Sequence, residues 1–260
     1  MKAVQIDRYS KEIRTVLREI PVPEIGPTEV LVEVRAAAVN PLELLILSGG
    51  VRLIQDYPMP LTLGNECSGV VKAAGEAVTG FQAGDKVYTR LPLSRIGAFA
   101  EYVAVEQAAL SPMPAGYDFS DAAAIPLTGL TAWQGLTEEL EVQRGKTLLI
   151  PGGSGSFGQM AVPLAKALSL HVIVTGNARA RASIMAAGAG YDRAARKQGK
   201  EYRFLFVRAD GAQLREVTRI VEQNHILPRT DPRTFTLETA REALELVKNG
   251  PTDGKVLLRL

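Results

Sequence analysis

Four scarcities bound what this 260-residue chain can be. It has one cysteine, two histidines and one tryptophan, and its 30 Lys and Arg almost cancel its 28 Asp and Glu. The single cysteine, Cys67, excludes any internal disulfide and any multi-cysteine zinc lobe. His171 opens a β-branched run and His225 lies in a polar stretch, so neither has a partner that spacing identifies. The even charge removes the electrostatic case for nucleic acid or an anionic membrane as partner. No apolar run approaches the ~18 residues a spanning helix needs, and the start MKAVQIDRYS lacks a signal-peptide core, so a cytoplasmic location is expected. Internal repeats and low-complexity segments are also missing, and the length suits one large or two ordinary domains.

What is present is a glycine loop. Leu148 to Gly158, LLIPGGSGSFG, is an apolar strand running into a turn, and a helical pattern follows from Gln159 to Leu168. Gly153, Gly155 and Gly158 fit G-x-G-x-x-G: the first glycine permits a tight turn, the second lets backbone approach a pyrophosphate, and the third lets helix pack on strand. N–H groups at the helix start then face the negative charge. Gly153, Ser154, Gly155, Ser156, Phe157 and Gly158 are therefore candidate dinucleotide contacts, the alternative being an ordinary strand-to-helix turn. A hydrolase nucleophile loop is disfavoured, because G-x-S-x-G spacing is absent at both Ser154 and Ser156.

The next strand, His171 to Thr175, indicates which dinucleotide. NAD sites place a carboxylate near its end for the ribose 2′-hydroxyl, but here the chain reads Gly176, Asn177, Ala178, Arg179, Ala180, Arg181. A charge-assisted hydrogen bond from a guanidinium to a 2′-phosphate is worth roughly 1.5 to 3 kcal/mol, enough to favour NADPH over NADH by ~10-fold. Gly176, Asn177, Arg179 and Arg181 join the cofactor candidates; alternatively the two arginines are solvated residues of a helix's first turn.

The first half has another texture. Val30 to Arg35, Gly69 to Ala73, Lys86 to Tyr88 and Phe99 to Val105 are short alternating strands between Gly, Pro and Asp turns, the pattern of an antiparallel barrel. Helical patterns begin at Asp121. Near the other end Thr236 is placed to cap a helix with Leu237, Ala240, Leu244 and Val247 on one face, Gly250 and Pro251 to stop it, and Lys255 to Leu260 to form a final strand.

In order, AAAVNPLELL (Ala36 to Leu45), LGNECSGVVKAAG (Leu63 to Gly75), VTGFQAGDKV (Val78 to Val87), GAFAEYVAV (Gly97 to Val105), IPLTGLTAW (Ile125 to Trp133) and the glycine loop resemble the medium-chain dehydrogenase/reductase superfamily, in its zinc-independent quinone oxidoreductase and enoyl reductase branch. The resemblance implies an α/β fold with a GroES-like β-barrel catalytic domain at 1–122, a Rossmann NADP(H) domain at 123–228 and a return to the barrel at 229–260. It implies an NADPH-dependent oxidoreductase passing hydride to a quinone, enone or enal, and a homodimer paired through the strand Tyr202 to Arg208, which is alternatively a buried internal strand. Zinc-dependent relatives use Cys and His where this chain has Asn40 and Asn65, so no metal is expected. The resemblance puts Asn40 near nicotinamide and substrate, and Thr131 at the carboxamide end. Asn40 alternatively shapes the turn before Pro41, and Thr131 bonds back within its helix. Some relatives carry a tyrosine after that Asn where this chain has Leu44, Leu45 and Ile46; Tyr57 is a distant substitute, and water is left to protonate the product.

After Ala187, Gly188 and Ala189 the chain departs from the family. It passes at once to YDRAARKQGKEYRFLFVRADG, so the Rossmann domain is shortened near 190, with strands 3, 4 and 5 expected to be missing. Either the chain is a deletion form or a longer polypeptide is represented here without that stretch. The competing function is then a catalytically impaired or non-catalytic NADPH-binding protein.

Overall fold

A computed structural model describes residues 1–176, 190–191 and 205–260. The first half holds β1 (Lys2–Ile6), β2 (Val16–Glu19), β3 (Glu29–Val39), helix α1 (Pro41–Leu47), β4 (Leu61–Thr62), β5 (Glu66–Ala74), β6 (Lys86–Arg90), β7 (Tyr102–Glu106) and β8 (Leu110–Pro112). The 11-residue β3 is its spine, pairing antiparallel with both β5 and β7. Val30, Val32 and Val34 alternate into the barrel core, as a half-buried strand requires. Beyond Arg35 the pattern changes, and Ala36, Ala37, Ala38 and Val39 are all buried because a second layer covers the other face. Small side chains at Ala36 and Ala38 let Ala123 and Ala124 approach closely, which joins the two halves without a bulky interface.

The second half begins with α2 (Phe119–Ala123) and α3 (Pro126–Gln134), the latter running into a π-helical turn over Gly135–Glu139. Then come β9 (Thr147–Ile150), α4 (Ser156–Ala167), β10 (His171–Val174), the two-residue β11 (Gly190–Tyr191) and α5 (Gly211–Gln223). The three strands are parallel in the order β11-β10-β9, which is the 3-2-1 half of a doubly wound sheet. The position of strand 3 is thus occupied by a stub, and the expected omission of strands 3 to 5 is narrower than the sequence indicated. Among the described residues nothing pairs with the other edge of β9.

The expected final Rossmann strand is not formed where it can be judged. Residues 202–204 lie outside the described residues, and 205–208 are in no strand. The reason is visible at Arg208: the side chain of Gln134 accepts from its backbone N–H (2.9 Å) and donates to its carbonyl (3.1 Å). A carboxamide takes both bonds that a neighbouring strand would make, and the Arg208 side chain pairs with Glu138.

Helix α5 follows, its N-cap Asp210 accepting from the Gln213 N–H. Leu214, Val217, Ile220 and Val221 bury into the core of this half. Tyr88, fully buried on β6, meets Thr218 at 2.7 Å and so anchors the helix to the barrel. The chain returns through α6 (Ala240–Asn249) and β12 (Val256–Arg259), which pairs with β3. Gly250 and Pro251 end α6 as expected, but the helix starts later than Thr236. The Thr236 N–H donates to Thr239 Oγ1 (2.9 Å), closing a preliminary turn, and Thr239 is the N-cap. Phe235, Leu237, Ala240, Leu244, Val256 and Leu258 all enter the barrel core.

Candidate functional site

The nucleotide wall of the site is the glycine loop between β9 and α4. The three glycines of the fingerprint have two kinds of surroundings. A Cβ on Gly153 would lie 2.8 Å from the Val174 Cβ, and one on Gly158 would lie 2.4 Å from the Gly153 Cα, so both positions are filled by the fold itself. A Cβ on Gly155 would meet only the Gly152 carbonyl, at 3.4 Å. Space is therefore kept beside Gly155, where the fingerprint requires a pyrophosphate to approach. Gly155 is also the N-cap of α4 and has no side chain to offer, leaving the first-turn N–H groups without a side-chain acceptor. The residues fit a dinucleotide. The Gly153 N–H donates to the Thr175 carbonyl (2.8 Å) and ties the loop to the end of β10, and Gln159 ties it to the return segment by accepting from the Arg229 N–H (2.8 Å).

Opposite stands the barrel wall, a buried polar network. Asn40 caps α1 from the end of β3 and is 3% exposed. Its Nδ2 donates to Glu66 Oε1 (2.9 Å) and to the Ala38 carbonyl (3.3 Å), while its Oδ1 accepts from Lys255 Nζ. Lys255 also pairs with Glu66 at 2.8 Å, both side chains being almost wholly buried. The second Glu66 oxygen accepts from the Leu127 N–H (2.6 Å) at the start of α3. One carboxylate thus joins barrel, nucleotide half and returning chain. Glu43 forms the adjoining knot: it accepts from the Asn40 N–H (2.6 Å) and from the N–H and Nδ2 of Asn65 (3.1 and 2.6 Å). Burial pushes the Glu43 carboxyl up to about 7, against these hydrogen bonds.

The two walls enclose a cleft of about 530 Å³ lined by Asn40, Leu42, Thr131, Gly155, Ser156 and Lys255 among others. Asn40, Thr131 and part of the loop, far apart in sequence, are thereby brought together. Thr131 Oγ1 donates to the Leu127 carbonyl (2.6 Å), the back-bond that was the alternative reading, and its oxygen is left as an acceptor. Phe157 is partly exposed on the same cleft. Gly153, Gly158 and Ser154 support the loop from behind. Gly176 follows β10, whereas Asn177, Arg179 and Arg181 lie outside the described residues. Lys255 gives no signal in the sequence, where it only opens a final strand, and its pairing with residues 40 and 66 reveals its place.

Other candidates are accounted for by their surroundings. Tyr57 donates its hydroxyl proton to the Leu93 carbonyl (2.6 Å), and burial pushes it up to about 12. Cys67 is fully buried and is likewise pushed up to about 12 by burial, the behaviour of a small core residue.

Two family models cover most of the chain: the alcohol dehydrogenase GroES-like domain matches residues 26–115, and a zinc-binding dehydrogenase domain matches 141–258. The chloroplastic NADPH-dependent alkenal/one oxidoreductase of Arabidopsis thaliana is 36% identical over 173 residues, covering 64% of this chain and 44% of its own. Human quinone oxidoreductase is 32% identical over 176 residues, covering 67% of this chain and 52% of its own. An alcohol dehydrogenase superfamily protein from Novosphingobium aromaticivorans superposes with a TM-score of 0.89 at 25% identity, over 100% of this chain and 99% of the other. The chain belongs to the medium-chain dehydrogenase/reductase superfamily. It spans about half the length of the curated relatives it matches.

The second superfamily model carries zinc in its description, and the residues here do not fit that ion. Asn40 and Asn65 offer carboxamides already bound to Glu66 and Glu43, and the Lys255 ammonium sits against both Asn40 and Glu66. A cationic group already neutralises the carboxylate that would serve a metal. Among the described residues no helix is long and apolar enough to cross a membrane.

Proposed function

We propose that this protein is an NADPH-dependent, zinc-independent oxidoreductase that reduces a quinone or an α,β-unsaturated carbonyl compound. The observation that carries the reading is the shared cleft, which Gly155, with open space beside it, lines together with the barrel residue Asn40 and with Lys255. The names of the alkenal/one and quinone oxidoreductase relatives support the acceptor class. A bound reduced nicotinamide supplies hydride, and the protein contributes position and electrostatics. The Gly155 and Ser156 backbone holds the pyrophosphate, Thr131 accepts from the carboxamide, and the locked Asn40 amide sets the barrel face of the cleft. Arg179 and Arg181 select the 2′-phosphate on chemical grounds alone.

Loss of NADPH absorbance on addition of a small quinone or enone tests the reading, with NADH as comparison. The expected result is turnover with at least a ~10-fold preference for NADPH. Tight NADPH binding without turnover on any such acceptor would favour the second reading, a non-catalytic NADPH-binding protein, which the short 3-2-1 sheet supports. A cytoplasmic homodimer belongs to the same proposal, and sedimentation of the intact chain tests the dimer. Its interface must lie elsewhere than the Arg208 backbone, which Gln134 occupies.

A further inference from the structure

A second concavity adjoins the cofactor cleft and shares Leu42 with it. This groove of about 780 Å³ is walled mainly by apolar groups from α1, the loop after it and the 205–209 segment, with Leu45, Ile54 and Phe206 forming a partly exposed rim. Against that apolar lining stands Arg90, at the end of β6 and only 3% exposed. The other guanidinium on the groove, Arg208, is paired with Glu138. Arg90 has no carboxylate partner among the described residues. Its Nη1 donates to the Leu91 carbonyl, its Nε is enclosed with no acceptor, and Nη2 makes no hydrogen bond among the described residues.

Burying an unpaired guanidinium is costly, because the group stays charged and its lost hydration is not replaced. Glu66 and Glu43 lie near enough to offset part of that burial through space, but neither forms an ion pair with Arg90. Glu66, opposite Arg90 in the β5–β6 register, is committed to Lys255, Asn40 and the Leu127 N–H; Glu43 is committed to Asn40 and Asn65. A cation lining an apolar groove that shares Leu42 with the cofactor cleft matches one kind of occupant: a small hydrophobic molecule whose oxygen becomes negative.

We propose that Arg90 is the acceptor-binding residue of this protein, holding the carbonyl oxygen of a quinone or enone in the apolar groove and stabilising the oxyanion. The inference rests on the hydride-transfer reading above. An enone gains hydride at its β-carbon, the double-bond pair shifts, and charge arrives on oxygen as an enolate; a proton from water then completes the product at the α-carbon. A quinone gains hydride likewise and leaves as the quinol after proton uptake. In both cases a fixed guanidinium stabilises the developing charge more than the neutral carbonyl, which is the requirement for accelerating the step.

The test uses the intact chain and 4-nitrophenol, whose visible absorbance reports its ionisation. Bound to the wild type, its midpoint is expected to fall by one unit or more, equivalent to at least 10-fold tighter binding of phenolate than of phenol. Arg90→Gln is expected to weaken nitrophenolate binding at least 10-fold while NADPH affinity, read by cofactor fluorescence, stays within 2-fold; Arg90→Lys should retain part of the effect. Should Arg90→Gln fail to fold, Ile54→Trp on the exposed rim is expected to exclude nitrophenolate without loss of NADPH binding. An unchanged or raised midpoint in the wild type, or equal phenolate binding by a folded Arg90→Gln, overturns the inference. The underlying reading fails separately: nitrophenolate held by Arg90 with no NADPH turnover sinks hydride transfer alone, and turnover indifferent to Arg90 sinks the acceptor site alone.

Discussion

The two walls of the cleft are built on opposite plans. On the barrel side most polar atoms are spent inside the protein: Asn40, Glu66, Lys255, Glu43 and the Leu127 amide bind one another, with Asn65 Oδ1 and Arg90 Nε buried without a partner among the described residues. On the nucleotide side the loop is shaped by glycine packing, and the groups at its tip are unspent, with open space at Gly155 and an uncapped helix start. The difference teaches how a site divides its labour. A satisfied network fixes geometry and offers little binding of its own, whereas spare backbone donors bind well but need a rigid support.

That contrast can be broken most forcefully at Lys255. Lys255→Met removes the ammonium paired with the buried Glu66, and chemical denaturation should show a loss of about 3–5 kcal/mol. Replacing Glu66 by Gln in the same chain should recover a substantial part; no recovery would show that packing, not charge, holds this wall. Glu43 sharpens the point through pH. Its folded value of about 7 exceeds the ordinary 4.5, so its stabilising contribution is fully present below 4.5 and is lost as pH rises through 7. Relative to Glu43→Gln, wild-type stability should therefore decline by on the order of 3 kcal/mol across that window, measured by denaturation at stepped pH. A flat difference would place the carboxyl near its ordinary range.

Smaller effects are expected in the nucleotide half. Gln134→Leu strips two bonds from the Arg208 backbone and one from Gln213, and should cost about 2 kcal/mol, with new hydrogen exchange at the Arg208 amide. Gly155→Ala has room for its methyl group, so stability should hold within about 0.5 kcal/mol while NADPH affinity falls roughly 10-fold by titration. Equal damage to folding and binding would erase the distinction between the walls.

Most of what was legible in the sequence was local. Strand, glycine turn and helix adjoin along the chain, and the Val30-Val32-Val34 alternation is a period-2 signal that needs no tertiary knowledge. The resemblance carried the rest of the barrel, and Asn40 and Thr131 came from it rather than from spacing. Arg90 gave no signal, since one arginine after a strand looks like surface until the barrel closes over it. The α5 helix carries its period at Leu214, Val217 and Val221, directly after the segment whose aromatic and β-branched residues read as a strand. The described part of that strand, 205–208, is irregular, and Gln134, some seventy residues earlier, takes both backbone hydrogen bonds of Arg208.

The link between Lys255 and Asn40 spans 215 positions of the chain. During synthesis the ribosome therefore delivers Asn40, Glu66 and Leu127 long before the ammonium that neutralises them. Until residue 255 emerges, Glu66 lacks its ion-pair partner and β12 is not there to pair with β3, so this wall of the cleft cannot close before residues 40 to 255 have all been made.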